Sequence, residues 1–412
     1  MRLAVALVVL LALASLGVSA LTYEDPVEQT QSEVTADQSI TFVSTQGRLS
    51  RFGNGRIVAF DTERQTAVWT HTEYDRYFDV DPIGDDKLLF AAVEAEPGLG
   101  QGTTYAVLIN WRTGEQLERF QIPPDVHDVD YLGNHEYIVA DKFHHKAYIR
   151  NTSREKTVWE FDFTKRFPDS AGNGPPEPNT EYSHLNDVDP VNNGSAFLLS
   201  PRNFDRVILV NRSTKNVTWQ LGEQDAHEVL REQHNPALLS QSPPTVLVAD
   251  SENDRVVEYA RIDGEWERTW LYDRGLAWPR DADRLPNGNT LIVDTRNQRA
   301  LEVTPDGDVV WEVRIPEMPY DVERLHLGDE PTGPTARSLN ATGTAGDDGG
   351  RGALATVWSE VTTLHGLAQW ILPPWVSPVD FLAVAVAIGT TLSWAGVELL
   401  VWLRPRVEGY LS

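Results

Sequence analysis

Cysteine is absent from this chain of 412 residues, and methionine occurs only twice. Disulfides, a thiolate nucleophile and any Cys-ligated metal are therefore excluded. Lysine is almost as scarce: Lys87, Lys142, Lys146, Lys156, Lys165 and Lys215 stand against 29 arginines. With 61 acidic residues, the formal net charge is -26. No basic stripe is available to displace the counterions of a polynucleotide, which argues against nucleic acid as a partner. An acidic surface that avoids lysine suits a salt-saturated medium, where screening is nearly complete. A halophilic, archaeal source is the expectation. Helical periodicity is missing from most of the chain too, although 41% hydrophobic residues suffice for a large core.

Long apolar runs occur only at the ends. Leu3 to Leu21 lies between Arg2 and Glu24-Asp25. Residues 1–21 read as a signal peptide with a Val18-Ser19-Ala20 cleavage site, or as an uncleaved signal anchor. Residues 379–403 form a transmembrane helix candidate, about 20 residues being needed to span a bilayer. Arg404 and Arg406 follow, so the positive-inside rule puts the C-terminus in the cytoplasm and the middle of the chain outside the cell membrane. Glu398, near the inner end of the span, is expected to snorkel towards Arg404. Residues 353–378 start as an amphipathic juxtamembrane helix, with Val357, Val361, Leu364 and Leu367 on one face. Residues 328–352, rich in Gly, Thr, Ala and Asp, read as a flexible linker. Glycosylation sequons begin at Asn151, Asn193, Asn211, Asn216 and Asn340, as on an exported surface.

What remains, residues 40–327, is a run of short strands. The clearest unit reads Asp281-Ala-Asp283, an Asn287-Gly288 hairpin turn, Thr290-Leu-Ile-Val-Asp294, Arg299-Ala-Leu-Glu-Val303, an Asp306-Gly307 turn and Val309-Val-Trp-Glu-Val313. Its opening returns as Phe78-Asp-Val-Asp81, His127-Asp-Val-Asp130 and Asn186-Asp-Val-Asp189, and a further copy starts at Gln233. Tyr320-Asp-Val-Glu323 opens a last unit that stops, and Arg56-Ile-Val-Ala-Phe60 with Ala67-Val-Trp-Thr70 supply the outer strands it lacks. A four-stranded repeat of this length predicts an all-β fold, a β-propeller whose ends pair to close the ring. The count is six blades, with seven the alternative. Trp69, Trp159, Trp219, Trp270 and Trp311 recur in outer strands and read as packing between sheets.

The first strand of each blade lines the central channel. His127, His184, Asn186 and His234 fall at or just before such strands, and Arg202 follows the second strand of its blade. Three imidazoles, an amide and a guanidinium at one mouth suit a tetrahedral anion, and an imidazole also serves as nucleophile or proton carrier. A three-histidine zinc site is the chemical rival, which Arg202 disfavours. No cofactor or metal is expected. His144-His145 reads as a solvated turn, and Asp141, Asp250 and Asp294 as acceptors for turn amides.

Four motifs in order carry a resemblance: Ser183-His184-Leu-Asn186-Asp-Val-Asp189, Ser200-Pro-Arg202-Asn203, Trp219-Gln-Leu-Gly222 and Gln233-His234-Asn-Pro-Ala-Leu238. Over about residues 120–320 the chain resembles the aryl sulfotransferases, six-bladed propellers that transfer a sulfuryl group from an aryl sulfate to a phenol without a nucleotide-sulfate donor. The resemblance implies that His234 is transiently sulfated and that His184, Asn186 and Arg202 hold the sulfuryl oxygens. His127 would help bind the group or manage the phenol proton. The chain departs from the family in three places. It has no room for an N-terminal β-sandwich before residue 40, no cysteine for the family's disulfide, and Val248-Ala-Asp-Ser-Glu252 where members often carry Phe-Asp-Asn-Gly. A non-catalytic cell-surface propeller that binds a ligand or protein is the alternative of another class.

Overall fold

Six four-stranded antiparallel sheets follow one another along the chain and make a six-bladed β-propeller. The computed structural model describes residues 2–27, 39–48, 55–95, 102–329, 333–344 and 353–410. It forms two units, residues 26–348 and, separately, residues 1–25 with 349–412. The inner strands of blades 1 to 5 are Arg76–Ile83, Val129–Gly133, Leu185–Val191, His234–Gln241 and Pro279–Arg284. Blade 6 is shared between the two ends of the propeller. Its inner strand Pro319–Arg324 pairs with Ile40–Thr45, in the register Thr41 to Arg324 and Val43 to Val322. Ile57–Asp61 and Thr66–His71 complete it, so no sheet edge is left open at the seam.

The repeated Asp-x-Asp of the inner strands has a structural cause. An inner strand has a neighbour on one side only, and its free N–H groups need acceptors. In four of the five triplets the first aspartate supplies one to the next blade. Asp79 accepts from the Val129 amide at 3.2 Å and Asp321 from the Val80 amide at 2.8 Å. Asp281 accepts from Val322 at 3.2 Å, and Asp128 from Val188. Tryptophans tie the blades further out. The indole N–H of Trp159 donates to the Arg212 carbonyl at 2.8 Å, that of Trp270 to Pro305 at 2.9 Å and that of Trp311 to Thr62 at 2.9 Å. Each of these bonds reaches the following blade, and apolar side chains fill the space between sheets.

Two expectations are corrected within the propeller unit. Part of the segment read as a flexible linker, residues 333–344, is docked on blades 4 and 5. The Ala336 amide donates to Glu258 at 3.0 and 2.9 Å, and the Pro334 carbonyl accepts from Arg284 at 3.2 Å. Gly343 lies against Leu271 so closely that a Cβ there would sit 2.0 Å from the Leu271 oxygen. Small residues and one buried ion pair make this contact, which is why no apolar periodicity announced it. The Asn151 sequon is also unsuitable for glycosylation. Its side chain is buried, and its oxygen accepts from Ser153 and Arg154.

In the other unit, helices Arg2–Thr22 and Pro378–Trp402 are long and apolar enough to cross a membrane. They pair with each other. Ser15 and Ser19 donate to Asp380 at 2.5 and 2.8 Å, and Arg2 donates to Glu398 at 3.1 and 3.2 Å. Glu398 takes Arg2 and the Trp394 indole at 3.1 Å, whereas Arg404, towards which it was expected to snorkel, lies outside the residues whose side chains are described. Between them in sequence lies the helix Ala353–Ala368.

Candidate active site

At the mouth of the channel the inner strands begin irregularly. In blades 1, 3, 4, 5 and 6 the pairing slips near the strand start, leaving Phe78 with Asp79, Asn186 with Asp187, Asn235, Arg280 and Tyr320 outside the ladder. Such bulges re-aim a side chain without breaking the sheet. Two places before the mouth residue the backbone turns left-handed at non-glycine residues: Asp125 (φ 56°), His184 (φ 42°), Trp278 (φ 58°) and Met318 (φ 60°). Blade 4 has two such residues, Glu232 (φ 47°), two places before His234, and Asn235 (φ 29°), directly after it. Strain of this kind concentrates at functional sites.

The mouth collects the residues singled out in the sequence. The ring centres of His127 and His184 are 5.7 Å apart, and those of His127 and His234 lie 5.6 and 6.5 Å from the Tyr320 ring. Phe78 stacks on His127 at 4.5 Å. Burial holds the His184 and His234 imidazoles neutral, helped by the nearby charge of Arg202 at His184 and of Arg280, then Arg202, at His234; Arg202 itself pairs with Glu232 at 3.0 Å. Asn186 donates to the Gln233 carbonyl at 2.9 Å, anchoring the residue before His234. Its side-chain oxygen is buried with no donor. It presents an acceptor to the pocket, a poorer match to a sulfuryl oxygen than a donor.

Each histidine is held by one nitrogen and leaves the other bare. His234 Nδ1 lies 2.8 Å from Ser251 Oγ, and that hydroxyl donates to the Pro279 carbonyl at 2.7 Å. With its one hydrogen spent there, Ser251 must accept from Nδ1–H, which fixes the tautomer. His234 Nε2 is then an unprotonated lone pair, buried without a partner. His184 donates from Nδ1 to the Glu181 carboxylate at 2.5 Å, and its Nε2 is likewise bare. His127 Nε2 faces Asp125 at 3.4 Å, Asp125 in turn contacts Lys142, and Nδ1 is left without a partner. Burial pushes the His127 pKa down to about 4, despite the Asp125 charge, and holds His184 and His234 well below the usual range. Asp125 is held well below the ordinary carboxylate value: its own burial raises it, but His127 and Lys142 more than offset that.

Two site members escaped the sequence reading. Arg280 is buried between the Trp278 and Tyr320 rings, 4.1 and 4.7 Å from their centres, and burial lowers its pKa to about 10. Tyr320 is fully buried, with a hydroxyl that finds no partner. The signal was present: both stand directly before an acidic-apolar-acidic triplet, the place His127 and Asn186 occupy in their own blades. His145 corrects another expectation. It is buried, with Nδ1 3.1 Å from Ser183 Oγ and Nε2 2.7 Å from the Glu177 carbonyl, and so braces the segment leading to His184. Asp141, Asp250 and Asp294 accept from the amides of His144, Arg231 and Ala277 at 2.9, 2.7 and 2.8 Å. Beside the mouth, a cleft of about 120 Å³ opens among Asp125, Lys142, Phe143 and Glu181.

No family model matches the chain, and no curated protein matches it in sequence. Solved structures do share the fold. A Bacteroides caccae protein of unknown function is 14% identical with a TM-score of 0.50, over 69% of this chain and 98% of that one. The periplasmic gluconolactonase of Pseudomonas aeruginosa is 12% identical with a TM-score of 0.46, over 73% and 87%. A Lactobacillus plantarum protein is 15% identical with a TM-score of 0.45, over 70% and 99%. At these identities the likeness speaks for the propeller alone.

Proposed function

We propose that this protein is a membrane-tethered sulfuryl transferase, acting on aryl sulfates and phenols with His234 as nucleophile. The observation that carries the reading is the Ser251 lock, which presents a neutral Nε2 lone pair inside a pocket bearing two guanidiniums. In the first half-reaction Nε2 attacks sulfur, the N–S bond forms, the S–O bond to the ring breaks, and a phenolate leaves. Arg202 and Arg280 face the charge that gathers on the sulfuryl oxygens. In the second, a phenol loses its proton to His127 Nδ1 and its oxygen takes the sulfuryl group, restoring the His234 lone pair. Asp125 keeps His127 in the tautomer that this step needs. His184, already donating to a carboxylate, gives a second hydrogen bond once it takes up a proton with the bound anion. The aryl ring has the Phe143-lined cleft beside His127 and His184 for its approach. With Arg404 and Arg406 in the cytoplasm, the pocket faces the outside and works on exported phenols.

The test is sulfuryl transfer from 4-nitrophenyl sulfate to phenol by the full chain in high salt. A burst of 4-nitrophenol and a sulfated His234 peptide are expected, both lost in His234→Ala. Full turnover by that variant, or no turnover and no sulfohistidine in the wild type, overturns the reading.

A further inference from the structure

Below the histidines, the inner strands carry a second set of buried side chains that the proposed chemistry does not use. Ligand oxygens of Asp281, Asp321 and Glu323 all lie within 4.8 Å of one another, and all three residues are at most 3% exposed. Asp281 and Asp321 each spend one oxygen on a backbone amide, of Val322 and Val80, leaving the other oxygen for the channel. Glu323 keeps Oε2 without any donor. Asp283, a fourth and separate side chain, is 1% exposed; no donor outside the acidic cluster reaches either oxygen, and its carboxyl lies against Glu323 and near Asp321. Leaving one buried carboxylate unpaired is already costly, and four that converge need an opposite charge or protons.

We propose that Asp281, Asp321 and Glu323, with Asp283 beside them, hold a calcium ion between the inner strands of blades 5 and 6. The donors are carboxylate oxygens only, the set preferred by hard cations over zinc or copper. The number of carboxylates separates the hard cations: magnesium usually takes one or two and keeps several waters, whereas calcium accepts several, mono- or bidentate. Three converging carboxylates therefore favour calcium. The three converging carboxylates supply at least three ligand atoms, and calcium takes about 6–8, so Asp283, water or second carboxylate oxygens fill the remainder. The location gives the ion a structural duty. Glu323 and Asp321 sit on the strand that closes the ring against Ile40–Thr45, and Asp281 and Asp283 sit on its neighbour.

The experiment strips the full chain with a chelator in molar sodium chloride, then titrates it calorimetrically with calcium chloride and with magnesium chloride. Saturable binding of one calcium per chain, tighter than magnesium, and a higher melting temperature are expected. Asp283→Asn and Glu323→Gln should each weaken calcium binding by about tenfold or more. His234→Ala should bind calcium as the wild type does, which separates this site from the proposed transferase. Stripped wild type that shows neither calcium heat nor a melting shift overturns the proposal, as does unaltered binding in both carboxyl variants. The wild-type arm stands even if a variant fails to fold. Carboxyls that share protons in place of an ion would give that first negative result.

Discussion

Ser251→Ala tests the site at the point where its chemistry is decided. The serine touches no reacting atom; it positions His234 by accepting from Nδ1–H while its own hydrogen goes to Pro279. Alanine leaves a buried donor unsatisfied, at a cost of about 1–3 kcal/mol against the tautomer with a bare Nε2. Each 1.4 kcal/mol is about a factor of ten, so the sulfation step should slow by about five- to hundredfold. The Pro279 carbonyl loses its donor as well, so stability should fall by a similar ~1–3 kcal/mol. Stopped-flow release of 4-nitrophenol reads the burst directly, and denaturant unfolding reads the stability. Affinity for the phenol acceptor should be unchanged, because Ser251 acts only through His234. Ser251→Thr keeps the oxygen and should restore most of the burst rate, which a purely structural cavity effect would not predict. A folded Ser251→Ala enzyme with a wild-type burst would refute the argument, since Nε2 would then owe nothing to the lock.

Three other outcomes follow from the same structure. The kcat/KM profile should have its acid limb well below 6.5, since burial holds the His127 pKa at about 4 in the free enzyme; a limb near 6.5 would contradict this. Stability should rise as chelator-treated protein is taken from pH 8 to 6.5. Burial, then like charge, lifts Asp81, Asp130, Asp283 and Glu323 well above their ordinary values, and burial lifts Asp321 to about 7. The folded state therefore binds more protons than the unfolded chain, and stability is lost as pH rises through those values. The histidines act with the opposite sign, but only below the unfolded value near 6.5; a flat or falling melting temperature over the stated range would disprove the assignment. Glu258→Gln leaves the fully buried Arg284 guanidinium uncompensated and loosens residues 333–344. The expected loss is about 3–5 kcal/mol, with proteolysis appearing between residues 328 and 352; wild-type resistance to protease would argue against docking.

Much of this architecture was legible because a propeller repeats its reasons. An acidic-apolar-acidic triplet marks five of the six inner strands, and in four of them its first carboxylate caps an amide of the next blade. The tryptophans mark outer strands, and Trp159, Trp270 and Trp311 each find a carbonyl one blade away. The seam was readable too, because Tyr320-Asp-Val-Glu323 repeats the opening of a blade whose remainder lies at the other end. What failed to show was anything without a period. The docking of residues 333–344 relies on Gly333 and Gly343 fitting against backbone, on the Ala336 amide donating to Glu258, and on the ion pair of Glu258 with Arg284, 26 residues apart in sequence. Composition alone makes that stretch look like a linker. Arg280 and Tyr320 went unread for a different cause: the search followed histidines, whereas the site follows a position.

That position explains how one strand serves two ends of a channel. A residue left out of the ladder by a bulge carries no pairing duty, so its identity is free to differ between blades: Phe78, Asn186, Arg280 and Tyr320. The aspartate one place later is not free, because Asp79, Asp281 and Asp321 each hold a neighbouring backbone. Side chains alternate along a regular strand, so a lost bulge residue would send every following carboxylate to the opposite face. The bulge thus separates the variable, chemistry-bearing layer from the fixed one beneath it. An anion at the mouth and a cation below it then require no compromise in the fold, because each is governed by a different residue of the same repeat.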